Sequence, residues 1–354
     1  IAMLVSRGLL DYDEKISTYW PEFGQNGKED MTIAQLMSHQ CGLIGKMEEQ
    51  GGDELTENML IDNNERLGEF LAKQKPAWKI DPEGKMHGYH TTTRGLYLSQ
   101  IVRRVDPKGR NLSQFIQEEI EDALDLEMTV GKAGVEDRCC KMVKYQSVTF
   151  PATEEQVKKM VKFKKQMENP NSFAAASFRP WGLFLDGDMY QKGEIADANI
   201  FTNARSIGKL YSECMMNPDF VSPEVLSEML EPATSGTDLV LPNELIFTKG
   251  GFMVKFGKSD SVLTDSAFTH FGGGGSFGLG DPEIGLAMSY VPNLWVRHPE
   301  DPRIYPLTRA VYETYRKKHW PEKPMFSFPK TLPKNEPEED KPFKVVYEGD
   351  GTVM

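Results

Sequence analysis

Apolar positions recur at three- and four-residue intervals through most of the chain, the mark of helices that turn one face inward. Residues 1–10 read as the last turns of a buried helix closed by Gly8 as its C-cap. Thr32 stands where it can cap a short helix over residues 33–37. The spacing predicts further helices over residues 64–73, along the stripe Leu96, Leu98, Ile101 and Val102, and around Phe115, Ile116 and Ile120. Residues 153–167 form a lysine-rich helical pattern whose acidic start and basic end suit the helix dipole, which marks it as a solvated insertion. Residues 204–216, 223–230 and 309–318 continue the helical set, with loops at 51–53 and 78–87. Two later segments, 251–256 and 285–291, read as strands. Helices first and strands gathered late predict an α+β fold, not alternating βαβ units.

From Trp320 the texture changes: Pro321, Pro324, Pro329, Pro333, Pro337 and Pro342 are spaced through Lys and Glu. The expected organisation is therefore one domain over residues 1–320 and a solvated tail over 321–354. A length of 354 residues suits a single large domain with a sizeable core. A net charge of -12 argues against a general binder of nucleic acid, which needs clustered cations. No stretch approaches the roughly 20 apolar residues of a membrane span, and mean hydropathy is -0.48, so the chain reads as soluble. Four cysteines, two of them the adjacent Cys139 and Cys140, form no disulfide framework and fit a reduced compartment. Compartment and oligomeric state stay open. The sequence starts mid-pattern at Ile1-Ala2-Met3-Leu4-Val5 with no capping residue, and reads as a fragment or processed product.

The densest chemical signal is Thr269-His270-Phe271-Gly272-Gly273-Gly274-Gly275-Ser276-Phe277-Gly278. Gly273, Gly275 and Gly278 match a dinucleotide fingerprint, but that motif requires a helix to meet the pyrophosphate, and Gly280 and Pro282 disfavour one. The same objection weakens Ser276 as a nucleophile elbow with Asp281 and His298. The plainer expectation is a tight strand-to-strand turn. Ser206-Ile207-Gly208-Lys209 and Ser327-Phe328-Pro329-Lys330 match Ser-x-x-Lys, in which one helical turn brings an amine beside a hydroxyl. The first reads as helix surface and the second falls in the tail. His87 and His90 lack a third ligand at matching spacing, so no metal or other cofactor is expected. His39 stands alone and reads as a satisfied core or capping histidine, not a catalyst.

Four stretches in order carry a family resemblance. They are residues 4–11 with 16–23; residues 33–43; Trp78 with His87-Gly88-Tyr89-His90-Thr91 and Arg94-Gly95; and residues 269–282. Together they resemble the superfamily of serine β-lactamases, penicillin-binding proteins and D-alanyl carboxypeptidases, most nearly its β-lactamase-related esterase branch, which is similar to class C enzymes. The resemblance implies a central antiparallel sheet flanked by helices, a mostly helical lobe, and hydrolysis of a small-molecule ester or amide through an acyl-enzyme. It makes Tyr89 the general base, His270 and Gly272 the His-x-Gly pair, and the Gly273 N–H half of an oxyanion hole. It also puts the serine about nine residues before Ile1 and its lysine about six before, so the chain as given is expected to be inert. Sheet strands expected upstream would be missing too, leaving an exposed edge. A neutral histidine in place of the family's lysine holds a substrate carboxylate less well, which tilts the expectation away from penicillins. The other reading is a non-catalytic binding or assembly module of the same fold.

Overall fold

The computed structural model describes residues 1–45, 55–61, 64–131, 134–141, 143, 154–178, 192–242, 244–254, 263–294 and 303–319. The loop expected at 51–53 and the tail at 321–354 lie outside them.

The first half is a helical lobe. It comprises α1 (Ala2–Ser6), α2 (Ile16–Tyr19), α3 (Ile33–Met37), α4 (Glu57–Ile61), α5 (Asn64–Lys73), α6 (Arg94–Val105), α7 (Leu112–Ile116) and α8 (Asp122–Leu124). Local chemistry sets several of these ends. Thr32 and Gln35 form a reciprocal capping box at the start of α3, and Asn111 with Gln114 does the same for α7. Gly8 takes φ +67 just after α1, the left-handed conformation of a C-cap. The predicted stripe on α6 holds at three of its four positions: Leu96, Ile101 and Val102 are buried with Tyr97, which packs against Trp20 and Phe23, whereas Leu98 sits at the margin of this core. Lys28 is fully buried, its ammonium donating to the carbonyls of Gln25, Ala72 and Gln74 and so closing the end of α5.

The chain then runs through β1 (Met128–Val130), α9 (Glu154–Glu168), α10 (Phe173–Phe178) and β2 (Ile200–Thr202), with β1 and β2 paired antiparallel. Next come α11 (Ala204–Met216) and α12 (Pro223–Met229), capped by Asn203 and Ser222. The main sheet follows: β3 (Ile246–Phe247), β4 (Met253–Val254), β5 (Phe268–Phe271), β6 (Phe277–Asp281) and β7 (Leu286–Tyr290), in that spatial order with each pair antiparallel. Among the described residues β7 has no further strand on its outer side. Helix α13 (Ile304–His319) closes the described chain. The expected α+β class is what forms.

Two differences from the sequence reading have physical causes. Strand β6 has the sequence FGLGD, too rich in glycine to read as a strand. Its glycines are there because α11 lies directly on the sheet: a Cβ on Gly278 would come within 2.2 Å of Tyr211 Cε2. Helix α13 begins at Ile304, five residues earlier than expected, because Pro306 falls in the first turn, where amides have no intrahelical acceptor. Ile304, Thr308 and Tyr312, one helical turn apart, bury against the sheet's far side with Phe277 and Leu279.

Candidate active site

Tyr89 lies on an extended segment immediately before α6, and side chains from distant elements hold its backbone at both ends. Its N–H donates to Asp238 Oδ1 at 3.1 Å, and its carbonyl accepts from Ser177 Oγ at 2.6 Å. The same Asp238 oxygen accepts the N–H groups of Val240 and Leu241 at 2.8 and 2.7 Å. On either side, the Gly88 N–H donates to the His39 carbonyl and the His90 N–H to His39 Nδ1, at 3.1 and 3.0 Å. Thr91 closes onto Ser177 from the other flank.

The Tyr89 ring sits in an aromatic frame. It stacks on Phe247 at 6.1 Å with 15° between planes, lies 4.7 Å from His39, and faces His270 on β5 at 6.1 Å between centroids. His39 reaches this position from a left-handed backbone, φ +65, which few non-glycine residues adopt. It is the satisfied core histidine the sequence suggested, and its bonds also link the tyrosine segment to α3. The glycine run is the expected turn between strands. Gly272 N–H donates to the Ser276 carbonyl at 2.7 Å and Gly275 N–H to the Gly272 carbonyl at 3.1 Å. Gly273 is exposed, and among the described residues its N–H has no acceptor. The buried His270 Nε2 likewise has no hydrogen-bond partner among them. Tyr89 and the His270–Gly273 stretch, far apart in sequence, therefore share one end of the sheet.

Beneath them lies one guanidinium. Arg94, the first residue of α6, donates from Nη1 to the Met37 carbonyl at 2.9 Å and approaches His39 Nε2 at 3.0 Å. Its Nε is 3.5 Å from Asp197 Oδ1, and Asp197 in turn accepts the Gly95 N–H. Burial pushes the Tyr89 phenol up to about 12, against a smaller downward pull from Arg94. Burial and then Arg94 hold His39 well below the usual imidazole range, and bring His270 down to about 3. Burial raises Asp197 and lifts Asp238 to about 6. At neutral pH the cluster thus holds neutral histidines, a protonated phenol and one largely covered cation, Arg94.

The competing motifs are used structurally. Ser206 Oγ accepts the Glu127 N–H, and Lys209 donates to the Leu124 carbonyl, so this pair ties α11 to the end of α8. No helix follows Ser276; β6 does. Asp281 accepts from Thr264, Ser266 and Tyr312. His298, Ser327 and Lys330 lie outside the described residues. His90 has both ring nitrogens committed to main chain, at Leu43 N–H and the Gly88 carbonyl. Among the described residues no group of three His, Cys, Asp or Glu side chains is placed to hold a metal, and no described helix is long and apolar enough to cross a membrane. A groove of about 440 Å³ along α13, lined by Ala310, Val311, Thr314 and Tyr315 among others, shares no residue with the cluster.

The buried histidines carry a pH signature. His90 has its folded pKa lowered by burial from 6.5 to about 3. Between those values the unfolded chain binds a proton that the folded one refuses, so stability rises with pH across this window and falls on acidification. At about pH 5 the expected cost is about 2 kcal/mol for His90, and His39 acts in the same sense. Asp197 and Asp238, both raised, act oppositely, so the histidine share is read as a difference. Urea unfolding between pH 7 and about pH 5 should show a steeper loss in the wild type than in His90→Gln; parallel losses would contradict a neutral, buried His90.

Comparison with known proteins places these features in context. A family model described as Beta-lactamase matches residues 1–313. The chain is 28% identical over 302 residues to a Mycobacterium tuberculosis protein described as esterase/beta-lactamase LipL, across 83% of this chain and 66% of that protein's length. It is similar in structure to a penicillin-binding protein homologue from Caulobacter crescentus, with a TM-score of 0.71, 28% identity, and coverage of 88% of this chain and 79% of the other. It is similar also to a family VIII carboxylesterase, with a TM-score of 0.70, 25% identity, and coverage of 88% and 79%.

Proposed function

Because this chain belongs to the beta-lactamase family, we propose that it forms the body of a serine hydrolase that cleaves a small-molecule ester or amide through an acyl-enzyme. The observation that carries this reading is the convergence of Tyr89, His270 and the Gly273 N–H, which has no acceptor among the described residues, at one end of the sheet. The names of its relatives, an esterase/beta-lactamase and a carboxylesterase, support it.

The roles follow from the chemistry. A serine hydroxyl, delivered by a Ser-x-x-Lys turn upstream of Ile1, attacks the substrate carbonyl. Tyr89 takes its proton through the phenolate form, for which the neighbouring lysine cation is needed, since the phenol otherwise ionises only near 12. The Gly273 N–H and the serine's own N–H stabilise the oxyanion of the tetrahedral intermediate. Tyr89 then returns the proton to the leaving alkoxide or amine, the C–O or C–N bond breaks, and water repeats the sequence to release the acid. His270, neutral at pH 7, lines the substrate strand as a hydrogen-bonding group and not a fixed charge. That favours substrates that do not depend on a carboxylate. Residues 1–320 form the catalytic body in this reading, and 321–354 a tail apart from it.

The test is covalent trapping. Full-length protein incubated with p-nitrophenyl acetate, or with a fluorophosphonate, should gain one adduct mass on a serine upstream of Ile1. Neither adduct nor turnover in a folded full-length sample would leave the fold as a non-catalytic binding module.

A further inference from the structure

Asp238 and His87 form a buried polar pair that the mechanism above does not use. Both side chains are fully buried. Asp238 Oδ2 lies 3.9 Å from His87 Nε2 and has no hydrogen-bond partner among the described residues, while the main chain of Leu245, Gly84 and Lys85 lies against the His87 ring and favours its protonated form. A carboxylate kept inside a protein without full pairing costs several kcal/mol on general grounds, so its retention needs a reason. The other oxygen supplies one. Asp238 Oδ1 gathers three amides: those of Val240 and Leu241 in its own turn, and that of Tyr89, 149 residues away in sequence. The two local bonds are an ordinary Asx turn, within reach of a serine hydroxyl. The third is long-range and reaches only because the carboxylate stands between the two segments.

The connection is reinforced alongside. Leu239 N–H donates to the His87 carbonyl at 2.9 Å, so the 238–241 turn grips the tyrosine segment at His87 and at Tyr89. Ser177 holds the Tyr89 carbonyl from the opposite flank. His87 packs edge-on against Phe247, the ring on which Tyr89 stacks.

We propose that Asp238, backed by His87, is a positioning residue: its long-range bond to the Tyr89 amide sets where the tyrosine hydroxyl stands relative to His270 and the Gly273 N–H. This rests on the hydrolase reading for its catalytic consequence. Misplacing a catalytic group by about 1 Å costs on the order of 100-fold in rate without loss of substrate affinity.

Asp238→Ser keeps a hydroxyl for the local turn but cannot span to Tyr89, while Asp238→Asn keeps the accepting oxygen at full reach. In the full-length protein with p-nitrophenyl acetate, Asp238→Ser should lose about 10- to 100-fold in kcat with KM within about threefold. Asp238→Asn should restore kcat to within about threefold of wild type. Amide hydrogen exchange of Tyr89 supplies a readout independent of turnover: protection lost in the serine variant and kept in the asparagine variant. Unchanged kcat in Asp238→Ser with its Tyr89 amide deprotected would overturn the positioning role, as would an Asp238→Asn enzyme as impaired as the serine variant. Tyr89 amide protection unchanged in Asp238→Ser would overturn the anchor itself. An inactive wild type would overturn the hydrolase reading, while exchange would still decide whether Asp238 anchors Tyr89.

Discussion

Tyr89→Phe in the full-length protein is expected to lower kcat for a small ester by about 100- to 10,000-fold, the range for removing a general acid–base group. KM should stay within about threefold, because in the proposed mechanism the phenol acts on the reacting proton and not on substrate affinity. The substitution deletes one oxygen and leaves the stacking on Phe247 and the contact with His39 in place. Both backbone anchors, at Asp238 and Ser177, are also untouched. Stability should therefore barely change, and steady-state kinetics beside a thermal melt will separate the two effects. A variant that keeps kcat within about threefold would remove Tyr89 from the proton path and leave an upstream lysine as the base.

The second large effect is structural. Arg94→Met is expected to destabilise the fold by about 3–5 kcal/mol, the usual consequence of stripping one partner from a buried pair. The arginine side chain is 13% exposed and that of Asp197 9%. Without the guanidinium, Asp197 keeps the Gly95 N–H, and the Met37 carbonyl loses a charged donor. Asp197→Asn in the same background should recover part of the loss, because a neutral amide needs no counter-charge. Urea unfolding of the two single variants and the double variant measures this coupling. A loss below about 1 kcal/mol for Arg94→Met would mean that water reaches Asp197 and the pair is not a buried one. Removal of the cation should also push the Tyr89 phenol higher still, since Arg94 is the group that draws it down.

The two variants probe parts of the molecule that were unequally visible in the sequence. Tyr89 and His270 could be named because each sits in a short stretch resembling a family motif, and their rings lie 6.1 Å apart in the fold. Arg94 stood inside the same quoted stretch without a role. Its partners come from two distant segments, Met37 and His39 in one and Asp197 in the other, and nothing local marks them. Asp238 and Ser177 were missed altogether. An aspartate in a turn and a serine in a short helix are commonplace, and their bonds to the Tyr89 backbone exist only once the chain has folded.

The same division runs through the fold. Helix boundaries were legible where the deciding forces act within one turn: the Thr32 capping box, the left-handed Gly8, and the full span of Ala204–Met216. Apolar periodicity located the α6 core stripe for a comparable reason, since it records a face and needs no knowledge of what covers it. By itself, then, the sequence determined the α+β class and most of the longer helices, and it put forward Tyr89 and His270 through a family resemblance; the short helices Ile16–Tyr19, Glu57–Ile61 and Phe173–Phe178 were not read from it. Tertiary structure decided that a glycine-rich segment becomes the strand β6, because Tyr211 on α11 leaves no room for a Cβ at Gly278. It also decided that His39 lies under Tyr89 and that a carboxylate 149 residues away holds the tyrosine's amide. Hydrogen bonds and van der Waals contact act over a few ångströms in space, and one chain read in order carries no record of which distant residues will come within that reach.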